Sequence, residues 1–200
     1  MNAKQVKISR LVITKIREYA AQDSIVSKWE NSVYGEIQKI TTPKKGVLGE
    51  DLVRAWLDDL GYLAENHGYN RQRGGGNFDL LVLIDNQLEK IEVKLATEDS
   101  SGKYQINWIP IEPNVVALVV FVCISPDAVY LGVKPHDELL SWVANPTPGK
   151  TLTAVPPNNP THRKWTTSVS NAGLAEIVTL DDVKEVFDEA INRFIAGKRK

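Results

Sequence analysis

The 200-residue sequence predicts an α/β fold in which a central mixed β-sheet is flanked by helices. Two runs rich in branched aliphatic residues, at 79–84 and 88–95, are typical of neighbouring strands, and apolar runs at 115–124 and 129–133 extend the sheet. Segments before and after these strands carry apolar residues every three or four positions, which predicts helices. A chain of this length can bury a full core as one domain, so we expect a single domain over 1–200.

Within it we distinguish N-terminal helices at 1–45, a core at 46–145, and a loop with a C-terminal helix at 146–200. Helices over 5–21 and about 24–40 are predicted to form a hairpin that packs on the core or serves dimerisation, with Thr41-Thr42-Pro43 ending the second. A third helix is predicted over 47–60. Glu50 falls at the margin of its apolar stripe, whereas Asp51 falls on the solvent side. The stripe comprises Leu48, Leu52, Trp56 and Leu60.

Three charged residues interrupt the apolar hairpin: Asp79, Glu92 and Lys94. Charges in strands covered on both faces are costly unless they are paired or bind a metal. If Asp85-Asn86 is a two-residue turn, Asp79 lies across from Glu92 with β-carbons roughly 5 Å apart, and two carboxylates so placed repel unless a cation lies between them. Lys94 is two positions from Glu92 and shares its face. The pattern predicts a site for a hard cation such as Mg²⁺.

Asp79, followed after twelve residues by Glu92-Val93-Lys94, resembles the signature of the PD-(D/E)XK, or restriction-endonuclease-like, nuclease superfamily. The resemblance covers about 46–135, with Phe78 where the family name has proline. It implies a restriction-endonuclease-like three-layer core in which Asp79 and Glu92 ligate Mg²⁺ and Lys94 assists the attacking water. A further acid often comes from the preceding helix in that family, and Glu50 is the candidate here. The family often has a helix after the lysine, whereas residues 104–108 alternate like a strand.

The function implied is Mg²⁺-dependent hydrolysis of DNA phosphodiester bonds by a type II restriction endonuclease that cuts double-stranded DNA. A homodimer with one site per strand is the economical arrangement for cutting a duplex. Two alternatives remain open. One is a structure-selective DNA repair or recombination nuclease. The other is a non-catalytic DNA-binding subunit of the same fold, in which Asp79 and Glu92 stand too far apart to share a cation.

Two polar segments are candidate DNA contacts, because cations and amides commonly bind phosphate oxygens. The glycine-rich stretch before the hairpin supplies Arg71, Arg73 and Asn77. A long proline-punctuated irregular segment from 146 supplies His162, Arg163 and Lys164. Either segment could equally be a polar surface loop, the second with Trp165 packed against the core.

Composition limits the other possibilities. The 24 Lys and Arg residues and 25 Asp and Glu residues give a net charge of −1, which is mild evidence against indiscriminate DNA coating. The single cysteine, Cys123, lies in an apolar run and is expected to be inert core, and its isolation suits a reducing cytoplasm. No signal-peptide pattern or membrane-length apolar run is evident, so we expect a cytoplasmic protein without a membrane partner. The last helix is predicted to begin at Thr179, with a disordered tail at 197–200.

Overall fold

The computed structural model describes residues 3–20, 29, 32–67, 78–155, 159–169 and 173–199. The α-helices are α1 (Ala3–Ala20), α2 (Thr42–Asp59), α3 (His136–Ala144) and α4 (Leu180–Lys198), and Gly35–Lys39 forms a short 3₁₀ helix. The strands are β1 (Ala64–Asn66), β2 (Leu80–Ile84), β3 (Gln87–Thr97), β4 (Tyr104–Pro110), β5 (Leu118–Ile124), β6 (Val129–Pro135), β7 (Leu152–Ala154), β8 (His162–Thr167) and β9 (Ala175–Glu176). None of the described helices combines the length and the apolar content that a bilayer crossing needs.

A six-stranded mixed sheet forms the centre of the molecule, in the order β1-β2-β3-β5-β6-β9. β3 and β5 run parallel, and the other neighbouring pairs run antiparallel. A parallel pair needs a crossover connection, and here the crossover contains β4. β4 belongs to a second, antiparallel sheet of order β4-β8-β7. The predicted mixed α/β architecture is therefore confirmed, as is a strand over 104–108 where the resembled family often has a helix.

The two faces of the main sheet are covered by different layers. One face packs against α1, α2 and α4, whose buried side chains share a core with Leu80, Val93 and Val120. The other face packs against the small sheet and α3. All seven residues of β5 are buried, as expected for a strand covered on both sides. The prediction of flanking helices is thus correct for one face, whereas a small sheet and a single helix cover the other.

The hairpin of β2 and β3 has the predicted register. Asp85 and Asn86 form the two-residue turn, with φ values of 49° and 61° that Asn and Asp tolerate better than most residues. Ile84 pairs with Gln87, and the ladder continues to Leu80 opposite Ile91. The strand begins at Leu80 and not at residue 79, so the predicted acid stands just before the ladder.

The second predicted helix differs from the structure over its described part. Residues 32–34 form a turn and Val33 is 55% exposed, although a continuous α-helix would place it on one apolar face with Trp29 and Ile37, four positions away on either side. The turn brings Gly35 against the carbonyl of Trp29, where a β-carbon would lie 2.2 Å from the oxygen. This close approach favours glycine and a turn over a continuous α-helix. Residues 24–28 of that prediction lie outside the described residues.

Residues 41–43 begin a helix where the sequence suggested an end. Thr41 is the N-cap of α2, and Pro43 lies in the first turn, where its missing N–H costs no intrahelical hydrogen bond. The boundary drawn between 45 and 46 therefore falls inside α2. The helix ends as predicted before Gly61, whose φ is +84°.

Asp51 is buried, contrary to the prediction that it faces solvent. The hydroxyl of Tyr19 donates a hydrogen bond to its carboxylate, and the amide of Asn66 donates another over 3.3 Å. These partners come from α1 and β1, so a helical wheel of α2 alone could not reveal them. The carboxylate is tolerated inside because its oxygens accept these bonds.

The C-terminal third is more ordered than predicted. The segment expected to be irregular contains β7, β8 and β9. The last helix begins as predicted: Thr179 accepts a hydrogen bond from the amide of Asp182, whose carboxylate accepts from the Thr179 amide in return. This helix continues to Lys198, which bonds Glu89 and Gln87 on β3, so the predicted disorder from 197 is wrong for 197–199.

Candidate active site

β3 is longer than β2, and the place where β2 ends while β3 continues is called the fork below. β2 pairs with β3 only as far as Leu80 opposite Ile91. β3 then continues to Thr97, paired with β5 on its other side. Within the described part of the chain, residues 92–97 of β3 have no partner strand on the β2 side. The fork thus exposes backbone and side chains of β3 in the segment that carries the predicted motif.

Asp79 lies at the fork and brackets Glu92, which means that it is hydrogen-bonded to the residues before and after Glu92. Its amide donates to the carbonyl of Ile91 over 2.9 Å, and one of its carboxylate oxygens accepts from the amide of Val93 over 2.8 Å. These two hydrogen bonds tie Asp79 to the backbone on both sides of Glu92. The acids predicted to face each other are therefore neighbours in the fold.

Phe78 and His67 fix the chain just before Asp79. The side chain of Phe78 is buried, its ring stacks on that of His67 with centroids 4.1 Å apart, and the ammonium of Lys90 lies 5.2 Å from the ring centre. The amide of His67 also donates to the carbonyl of Asp79 over 2.9 Å. A buried aromatic anchor thus occupies the position where the resembled signature has proline.

Glu92 and Lys94 share one face of β3 and form an ion pair. Their side chains are 12% and 19% exposed, and their neighbours on β5 are the buried Val119 and Phe121. A charge in such apolar surroundings is tolerated only with a partner. The pairing therefore explains how two charges persist in this strand, and it holds the Lys94 ammonium beside the fork.

A cleft of about 440 Å³ opens between α2, the unpaired stretch of β3, and β4. Glu50, Asp79 and Lys94 all line it. Glu50 reaches the cleft because α2 packs closely on β3: a β-carbon at Gly49 would lie 2.9 Å from the Leu95 β-carbon. The structure thus brings three of the four predicted catalytic residues to one cleft, with Glu92 held against Lys94 beside it.

The acids at this cleft offer oxygen ligands, which are the ligands that Mg²⁺ prefers. Among the described residues, no group of three or more His, Cys, Asp or Glu side chains is arranged to hold a metal ion. Mg²⁺ sites commonly use one or two carboxylates and complete the shell with water and substrate phosphate. These oxygen donors are therefore of the kind that Mg²⁺ prefers, and they would form a site with two protein carboxylates.

His162 lies on the β4–β8 side of the cleft region. Its ring is 6.0 Å from that of Trp108 between centroids, and its Nδ1 is 2.8 Å from the hydroxyl oxygen of Thr161. Burial, together with the nearby Lys94 ammonium, holds the pKa of His162 below its usual value, against the opposing charge of Glu112. The imidazole is therefore largely neutral at pH 7.

The other predicted DNA contacts have different surroundings. Arg163 and Lys164 lie on strand β8, not in an irregular loop, and the Arg163 guanidinium donates to the carbonyls of Asn159 and His162 over 2.9 Å each. Trp165 is fully buried against the rings of Phe121 and Trp142. The packing of Trp165 on the core is therefore confirmed, whereas DNA contact by Arg163 and Lys164 stays a prediction. The predicted contacts Arg71, Arg73 and Asn77 lie outside the described residues.

The sequence did not identify several residues that line the cleft. Thr42 and Lys45 reach it from the first turns of α2, and burial lowers the pKa of the Lys45 ammonium. They were missed because the sequence suggested a helix end at this point. Asn107 and Trp108 reach the cleft from β4. No sequence signal marked Trp108, because strict alternation from Tyr104 would direct it into the core.

Two other titratable residues are part of the core, away from the cleft lining. Cys123 is completely buried and burial raises the pKa of its thiol, as expected for inert core. His136 is 2% exposed, and its Nε2 is 3.0 Å from the carbonyl oxygen of Pro110. Neither residue adds a reactive group to the cleft.

The chain matches no known family model. It matches no curated protein sequence either. Among solved structures it is similar to the bacterial homing endonuclease I-Ssp6803I, with a TM-score of 0.40 and 17% sequence identity over 50% of this chain and 73% of that one. A likeness of this size does not establish the family of the chain.

Proposed function

We propose that this protein is a Mg²⁺-dependent endonuclease that hydrolyses DNA phosphodiester bonds, a member of the PD-(D/E)XK superfamily with the role of a type II restriction enzyme. The observation that carries the proposal is the fork itself. There Asp79 brackets Glu92 through two backbone hydrogen bonds, and Lys94 stands beside them at a cleft that Glu50 also lines. Charges in an apolar sheet cost stability, and groups of such charges are typical of functional sites.

Asp79 and Glu92 would hold the cation, with Glu50 as a further acid facing the same cleft. Mg²⁺, when bound, supplies positive charge against the phosphoryl oxygens of the substrate. Lys94 orients the attacking water through a hydrogen bond and offsets the negative charge that grows on the phosphate. The water oxygen bonds to phosphorus as one ester P–O bond breaks; the water loses a proton to the solvent, and the departing oxygen takes one up. A homodimer would supply one such cleft for each DNA strand.

The first experiment compares the wild type with Asp79→Asn on mixed plasmid and phage DNA, with Mg²⁺ or with EDTA. Asparagine keeps an oxygen that can accept from the Val93 amide but loses the charge that attracts the cation. We expect cleavage to fall by about a hundredfold or more, in line with the loss of an essential electrostatic group. Discrete Mg²⁺-dependent fragments from the wild type indicate a sequence-specific enzyme.

Asp85→Asn is the matched control, because it makes the same chemical change in the exposed turn of the same hairpin. It should cleave like the wild type. Full activity in Asp79→Asn would refute the assignment of the site. If the wild type cuts no duplex, the proposed substrate becomes branched DNA. If branched DNA is also left uncut, the proposed function becomes that of a non-catalytic DNA-binding subunit.

A further inference from the structure

A bulge in β4 turns an indole out of the core. β4 has two residues, Asn107 and Trp108, between Ile106 and Ile109, whereas β8 has only one residue between their partners. Without the extra residue, position 108 would follow Ile106 onto the buried face. With it, Trp108 points outward and Ile109 takes the buried position. Bulges are a common means of redirecting a side chain beside a functional site.

Neither core packing nor backbone preference explains a tryptophan at position 108. The indole is 49% exposed, which forfeits much of the burial that a side chain of this size could gain. Its φ of 61° is in the left-handed region, which glycine adopts freely and bulky residues rarely adopt. Strained backbone conformations of this kind are found mainly at functional sites.

The indole stands beside the candidate catalytic lysine. Trp108 lines the same cleft as Asp79 and Lys94. It also meets the ring of His162 at an interplanar angle of 68°, with the ring centroids 6.0 Å apart. A rigid aromatic surface is thus placed next to the cleft that would receive the phosphate.

We propose that Trp108 is a positioning residue that stacks on a nucleobase displaced from the helix next to the cleaved bond. The inference rests on the proposed nuclease function for the placement of DNA at the cleft. Every base has a π-face, so an exposed indole stacks on bases with little regard to sequence. Displacing a base costs least when it has no pairing partner. DNA with an unpaired nucleotide beside the cut bond should therefore bind best, and this preference favours the structure-selective nuclease, which is the alternative to a type II restriction enzyme.

The test is binding of two fluorescein-labelled duplexes of one sequence, measured by anisotropy in EDTA. One is fully paired and the other contains a single unpaired thymidine. The variants are Trp108→Gly and Trp108→Asn, which suit the left-handed backbone, and Trp108→Phe, which keeps a ring. We expect both ring-less variants to bind the unpaired-nucleotide duplex about tenfold or more weakly, with a much smaller change on the paired duplex, and Trp108→Phe to retain most binding.

Thermal unfolding of the same variants separates stacking from a structural role. Glycine relieves the backbone strain, so Trp108→Gly should unfold no lower than the wild type. If it unfolds at a lower temperature and loses binding equally on both duplexes, Trp108 is structural and the inference is refuted. Unchanged binding in Trp108→Gly refutes it as well. So does a wild type that binds neither duplex but self-associates through Trp108, since the occupant would then be a second copy.

Binding in EDTA also keeps this inference distinct from the proposed function. Trp108-dependent binding without any cleavage would retain the stacking role and remove the nuclease. Cleavage that requires Asp79 but is unchanged by the substitution of Trp108 would retain the nuclease and remove the stacking role.

Discussion

Gly49→Ala tests how tightly α2 must pack to present Glu50. Alanine is the better helix former by about 1 kcal/mol, so propensity alone predicts a more stable protein. Gly49, however, faces β3, where a new β-carbon would lie 2.9 Å from the Leu95 β-carbon and 3.5 Å from a Val93 methyl carbon. A β-carbon at Gly46 in the same helix would meet nothing within 4 Å apart from its chain neighbours and the backbone of the helix itself, so Gly46→Ala is the matched control.

The magnitude follows from the overlap. Carbon atoms prefer separations of about 3.5–4.0 Å, so α2 must move away from β3 by about 0.6–1.1 Å at this point. Overpacking of this kind costs about 1–3 kcal/mol. Helix propensity contributes equally to both variants. Gly49→Ala should therefore be less stable than Gly46→Ala by about 1–3 kcal/mol, and should unfold about 2–12 °C lower at this chain length.

Urea unfolding followed by circular dichroism measures the difference directly. The neighbouring Glu50 would move with the helix, and misplacement of a catalytic group by about 1 Å can lower the rate about a hundredfold. We therefore also expect slower DNA cleavage by Gly49→Ala at temperatures where it is fully folded. Equal stabilisation by both alanine variants would show that α2 does not lie against Leu95 as described, and would remove the reason for Glu50 to face the cleft.

Two further predictions concern stability. Thr179→Ala should destabilise the protein by about 1 kcal/mol, because the amide of Asp182 loses its capping oxygen, whereas Thr179→Ser should keep most of the stability in the same urea assay. Burial lowers the pKa of His136, so the unfolded chain binds its proton first as the pH falls below about 6.5, and stability should decline from there towards the lower folded pKa. In urea midpoints at pH 7.5 and 5.5, His136→Gln should show a smaller decline in stability than the wild type, and an equal decline would contradict this account.

The features that sequence analysis predicted correctly are those set by neighbours in the chain. The hairpin register follows from Asp85 and Asn86, whose tolerance of positive φ limits the turn to two residues. The start of α4 follows from the Thr179 hydroxyl and the Asp182 carboxylate three positions later. In each case the relevant energy is decided within a few residues, so the sequence pattern was sufficient.

The features that it missed depend on distant contacts. β8 is a strand because it pairs with β4, more than fifty residues earlier, and no local pattern announces that pairing. Asp51 is buried because Tyr19 and Asn66 reach it from other elements. The outward turn of Trp108 depends on one extra residue in a ladder between two remote strands. Periodicity assigns faces only while the ladder is regular.

The fork also explains why the charged residues of the motif stand out from the aliphatic sequence around them. A strand paired on both sides and covered on both faces favours aliphatic residues throughout, as β5 shows. β3 follows that rule at Ile91 and Val93 but departs from it at Glu92 and Lys94, just where β2 has ended and the edge faces the cleft. A one-residue change in the Asp85-Asn86 turn would alter the register that brings Asp79 beside Glu92. The turn, the point where β2 ends and the placement of the charges are thus parts of one arrangement, and none of them would assemble the cleft alone.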